Sequence, residues 1–191
     1  PRARALPGRV RGLGGSTEDT GGHGAGDGAR RAARAAHLRA EMADLLALSA
    51  DEDRAREHLY GLLLHRLAPD EARILAVLAD GTPFAVLDVH ERSPLRRTGR
   101  VLLRNASTVG HAAGVSLPGH VPGYVTRLAA LGLVEIDGED PALDTQYEVL
   151  LTDETVVEAL AGRTRAGFDR RTLRLSALGR RFWAACDPHG A

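Results

Sequence analysis

Across residues 69–182 the apolar spacing switches repeatedly between the three-to-four-residue period of a helix and the two-residue period of a strand. That alternation makes an α+β chain, mainly α. Pro69 fits the first turn of a helix with Asp70 and Glu71 beside it. Glu71, Ile74, Leu75 and Leu78 share one face of that helix, and Gly81 is its stop. Residues 83–89 read as a short strand, broken by Pro94. Residues 101–113 read as a helix ending at Gly114. His120, Val121 and Pro122 open another, which turns Val121, Val125, Leu128 and Leu131 inward. Residues 131–134 read as a helix stop feeding a strand, and Asp137 with Gly138 as a turn. Residues 147–151 read as a strand and 153–160 as a short acidic helix. Residues 171–175 alternate as an exposed strand does, and Ser176 caps a last helix carrying Leu178, Phe182 and Trp183.

Upstream the pattern changes. Residues 1–28 hold nine of the chain's 22 glycines and almost no large apolar side chains. A segment of that composition buries too little surface to offset its ordering entropy, so 1–28 reads as a disordered Gly/Arg-rich arm. Its glycines form no strict G-x-G-x-x-G, and no strand precedes them. Residues 29–67 read as a helical extension. Ala35, Leu38, Met42, Leu45 and Leu46 recur at helical spacing; after Asp51, Glu52 and Asp53 a second helix carries Leu59, Leu62, Leu63 and Leu67. These helices offer a surface for a homodimer, although folding back on the following domain is preferred. The domain itself spans 68–187.

The 25 basic residues are all arginine. Without lysine there is no Walker A loop, no Schiff-base chemistry and no lysine general base. A single cysteine, Cys186, excludes an internal disulfide and a cysteine zinc cluster. None of the eight histidines forms H-E-x-x-H; His58 and His65 share a helix face, but two ligands are too few for a metal. Ser116 misses G-x-S-x-G by one residue and lies between helices, so it reads as a turn. Cys186, with Arg180 and Arg181 near in sequence, reads as a packed small hydrophobe beside Trp183. No nucleophile–base set emerges, so an enzyme is not expected, and neither a cofactor nor a metal is. No apolar run approaches the ~20 residues of a membrane helix, and no signal-peptide pattern occurs, which makes the cytoplasm the expected compartment. A chain that opens at Pro1 instead of Met leaves room for a missing upstream segment.

The order helix, strand, helix, helix, strand, strand, helix resembles a winged helix-turn-helix domain. Residues 124–135 look like its third helix and first wing strand. Residues 173–182 look like the returning strand and following helix of MarR-type regulators. A closer resemblance covers roughly residues 60–187. Residues 67–75, Asn105 to Gly110 with Ala113 and Gly114, residues 120–133, and residues 174–179 with Phe182 and Cys186 are similar to the bacterial abortive infection alpha (Abi-alpha) family. That resemblance implies a role in phage defence and no catalytic residues.

Charge then weighs DNA against protein as the partner. Net zero charge divides into blocks of +5 (1–40), −6 (41–90), +4 (91–135), −8 (136–160) and +5 (161–191). The blocks either make polarised surfaces or neutralise one another within the fold. Between Arg92 and Val134 there is no carboxylate, which leaves Arg92, Arg96, Arg97, Arg100, Arg104 and Arg127 available for phosphate. The outward face of the third helix is Gly123, Thr126, Arg127 and Ala130, where Arg127 alone is suited to read a base. A wing region of −8 repels phosphates. These nine residues form the candidate interaction face. The expected function is a non-enzymatic adaptor or regulator that binds another protein, with a DNA-binding regulator as the alternative.

Overall fold

A computed structural model describes residues 22–92, 99–163 and 165–190, with backbone alone for 22–26. The chain divides into two compact units, Pro1–Ala55 and Arg56–Ala191.

In the first unit, helix α1 spans Gly22–Leu48. It begins before residue 29, so residues 22–28 are helical instead of part of a disordered arm. Extending an alanine-rich helix by two turns costs far less than nucleating one, and the Asp27–Arg31 pair at 2.6 Å supports the added length. Residues 1–21 lie outside the described residues. Leu38, Met42, Leu45 and Leu46 of α1 are exposed. Helix α2, Glu52–Arg66, opens with Asp51 Oδ1 accepting from the Asp53 and Arg54 amides.

The second unit is α+β, mainly helical, around one antiparallel sheet. Helix α3 is Pro69–Leu78; strands β1 and β2 are Phe84–Glu91 and Val101–Ser107; helices α4 and α5 are Val109–Ala113 and Val121–Ala130. Strand β3 is Val134–Asp137, helices α6 and α7 are Asp144–Leu150 and Glu154–Leu160, strand β4 is Ala166–Leu175 and helix α8 is Ala177–Cys186. The strand order is β2-β1-β4-β3, antiparallel throughout. One face carries the larger core: Ile74 and Leu75 of α3, Val121, Val125 and Leu128 of α5, Phe182 of α8, and Tyr60 and Leu63 of α2. Phe182 meets the Tyr60 ring edge-on at 5.6 Å. The other face carries Ala85, Leu87 and Val89 of β1 beneath Leu143, Tyr147, Leu150 and Val156. Among the described residues no helix is long and apolar enough to cross a membrane.

Two sequence expectations fail here. Residues 101–113 are not one helix: 101–107 form β2 alongside β1, and only 109–113 are α4. Between Leu87 and Val89 the partners step from Ala106 to Leu103, and between Val89 and His90 from Leu103 to Val101, so β2 carries an extra residue at each step. Asn105 takes a left-handed conformation there (φ 58°), which an asparagine tolerates better than most residues. Residues 147–151 are not a strand either. Tyr147 and Leu150, one helical turn apart, bury into the second core from α6. Their three-residue spacing outweighs the β propensity of Tyr147 and Val149.

Candidate functional site

Helix α5 is amphipathic as its sequence requires. Pro122 sits in its first turn, Gly132 leaves it at φ 72°, and Val121, Val125 and Leu128 are buried. Gly123, Thr126, Arg127 and Ala130 are all exposed, so the structure brings the outward face together as expected.

Exposed does not mean free. Arg127 Nη2 donates to the Arg66 carbonyl at 2.7 Å, and its Nε lies 3.1 Å from Glu71 Oε1. Glu71 is fully buried; its Oε2 accepts from the Ala68 amide at 2.8 Å, while Oε1 has no hydrogen bond and relies on the guanidinium's charge. Thr126 Oγ1 donates to the Pro122 carbonyl at 2.7 Å and accepts from Asn105 Nδ2 at 2.8 Å. The Asn105 amide donates to Asp88 Oδ1 at 2.7 Å, and Asp88 Oδ2 pairs with Arg171. The polar part of the α5 face is thus tied into the fold on both sides.

The arginines upstream are arranged otherwise. Arg92 follows β1, Arg100 precedes β2 and Arg104 lies within it, so none leads into a helix at residue 101. All three are exposed, and no side-chain hydrogen bond or ion pair holds them among the described residues. Arg96 and Arg97 lie outside the described residues. The acidic block 136–160 finds its counter-charge elsewhere. Arg170 of β4 pairs with Asp144 at 2.8 Å, Glu148 at 2.6 Å and Glu139 at 3.4 Å, and stacks over the Tyr147 ring. Arg174 pairs with Asp140 at 2.9 Å.

Asp70 is a second buried acid that composition alone did not single out. Its carboxylate accepts from the Ser116 and Leu117 amides, at 2.9 and 3.0 Å, and from the Tyr124 hydroxyl at 3.3 Å. The Ser116 amide, above all, holds the carboxyl below its ordinary pKa, against the opposing effect of burial. Ser116 is therefore a turn residue, as its position implies. Burial pushes the Cys186 thiol up, and Arg180 and Arg181 donate to the Leu175 and Ala177 carbonyls instead of activating it. His65 Nδ1 is 2.7 Å from the Gly61 carbonyl of its own helix.

The signal for Glu71 was present in the sequence, since its helical position coincides with Ile74 and Leu78. Asp88 and Asn105 carried none, because both sit where the β1–β2 ladder changes register.

The family model described as abortive infection alpha matches residues 22–186. No curated protein matches the chain. A solved structure, that of an uncharacterized protein from the hydrocarbon-degrading marine bacterium Alcanivorax borkumensis SK2, is similar at 35% identity. That match covers 70% of this chain and 95% of the other, with a TM-score of 0.54. With 22–186 matched end to end, and α1 through α8 inside those limits, the chain belongs to the abortive infection alpha family.

Proposed function

We propose that this chain is a non-enzymatic regulator of winged-helix type that acts in abortive infection by binding another protein. Family membership suggests the abortive-infection role. The winged-helix reading draws support from the order α3, β1, α4, α5, β3, β4, with β4 between β1 and β3. Strand β2 and helices α6 and α7 are additions to that plan.

The observation that carries the protein-binding reading is the occupation of Arg127. The one side chain on the outward face of α5 suited to base recognition spans the Arg66 carbonyl and the Glu71 carboxylate. What remains of that face is Gly123, Ala130 and a hydroxyl already engaged by Asn105. Small side chains allow a partner's backbone to approach closely. The non-enzymatic part of the reading rests on the missing nucleophile–base set.

The test is cross-linked capture with the intact chain from phage-infected host cells, with and without nuclease. Retention of a specific host or phage protein after nuclease treatment is the expected result. Loss of every captured protein on nuclease treatment overturns it.

DNA remains the second reading, favoured by Arg92, Arg100 and Arg104, whose side chains are uncommitted among the described residues. It requires the log-affinity for a duplex to fall with log salt by about 0.9 per phosphate contact. It also requires Arg100→Glu with Arg104→Glu to flatten that slope.

A further inference from the structure

The acidic block is neutralised over only part of its length. Arg170 and Arg174 take up Glu139, Asp140, Asp144 and Glu148, and Asp153 is committed to the start of α7, where its carboxylate accepts from the Thr155 amide. Glu154 and Glu158, one turn apart on α7, have no ion pair among the described residues and are exposed. Like charges at this spacing work against the helix that carries them. Both line a groove of about 580 Å³ between α7 and the short turn Pro118–His120.

The groove has a floor of different chemistry. Exposed Val149 and buried Leu150 of α6 lie beside the acids. His111 of α4, Pro118, Asp153 and Thr155 are shared with an adjoining cavity of about 190 Å³, lined by Gly110, Gly114, Val115, Val121 and Pro122. That cavity depends on the close approach of α4 to α5: a Cβ on Gly110 would lie 2.3 Å from Val121 Cγ2. One end of the surface therefore suits an apolar side chain, the other suits a cation, and the two meet at His111.

We infer that this groove docks a short segment of a partner protein in which an arginine or lysine stands next to an apolar residue. Charge complementarity selects the occupant: uncompensated carboxylates favour a cation, and the adjoining apolar cavity favours a side chain that a polyamine lacks. The inference deepens the protein-binding reading and names the chemistry of the partner.

The experiment uses the full chain and a fluorescein-labelled hexapeptide alternating leucine and arginine, followed by anisotropy. A matched peptide with glutamate for arginine, and unlabelled spermidine as competitor, complete the set. The leucine–arginine peptide should bind. Glu154→Gln with Glu158→Gln should weaken it roughly tenfold. Asp137→Asn, an acid of the same block outside the groove, should leave it unchanged, and spermidine should compete poorly. Circular dichroism checks that each variant is folded; both glutamates are exposed, so the glutamine pair keeps its helix. No binding, equal losses in the two variants, or full displacement by spermidine overturns the inference. The glutamine pair is also carried through the cross-linked capture. Capture of the same protein by wild type and variant alike would overturn the groove while leaving protein binding intact. Loss of all nuclease-resistant capture by the wild type would sink the broader reading, and the peptide titration would still decide the groove.

Discussion

Glu71 is buried at the start of α3 and Arg127 reaches it from the exposed side of α5, Nε to Oε1 at 3.1 Å. The contact pins α5 to α3 through a carboxylate buried away from solvent. Arg127→Ala should therefore lower stability by about 1–3 kcal/mol, the cost of stranding a buried acceptor. Glu71→Gln should relieve part of that loss, so the double variant falls short of the sum of the singles in urea denaturation. An unchanged denaturation midpoint in Arg127→Ala would show that the pair holds nothing.

Glycines 179 and 123 should respond in opposite directions. A Cβ on Gly179 would stand 1.9 Å from the Leu133 carbonyl oxygen, where α8 meets the turn between α5 and β3. Gly179→Ala should cost about 3 kcal/mol, at the upper end of overpacking. Around Gly123 no atom lies within 4 Å of an added Cβ, so Gly123→Ala should raise stability by about 0.5–1 kcal/mol through helix propensity. Thermal melts of both variants, run side by side, check the pair.

Tyr147 is fully buried, and its hydroxyl donates to the Arg171 carbonyl at 3.0 Å while accepting from the Asp140 amide at 3.2 Å. These bonds fasten α6 to β4. Tyr147→Phe keeps the ring and removes both, which should cost about 1–2 kcal/mol. Hydrogen exchange should accelerate first in residues 140–150, and uniform protection there would contradict this role.

Acid should loosen the turn at residues 114–117. The Asp70 carboxyl is held below its ordinary 3.8 by the Ser116 and Leu117 amides and the Tyr124 hydroxyl. A carboxyl with a lower pKa folded than unfolded contributes stability in full above about pH 4, and loses it as pH falls through the folded value. Asp70→Asn should be less stable than wild type at pH 7, with the two curves converging as the pH drops below 3.8. Denaturation midpoints recorded from pH 2 to 7 give the comparison.

Much of this arrangement was legible in the residues. The period of Val121, Val125 and Leu128 fixed which side of α5 faces outward, and Pro69, Ser176 and Gly132 marked element ends where the structure has them. What failed was local. Residues 101–107 read as helix because the two extra residues in β2 spoil the two-residue alternation that would have announced a strand. Residues 147–151 read as strand because Tyr147 and Val149 carry β propensity, although Leu143, Tyr147 and Leu150 recur at helical spacing. The standing of Arg127 was hidden for a different reason. Position on a helix face decides exposure, but its engagement depends on Arg66 and Glu71, both more than fifty residues away in sequence.

The place of β4 in the sheet also sets a schedule for the growing chain. β1 is complete by Glu91, yet its neighbour across the middle of the sheet begins only at Ala166. On the ribosome β1 must wait, paired on one edge by β2 and bare on the other, while α4 through α7 are made. A message cut short between β3 and residue 166 yields β1 and β3 with nothing to join them, and an open strand edge for each. For this chain the stretch that begins at Ala166 decides whether the strands made before it have a sheet to belong to.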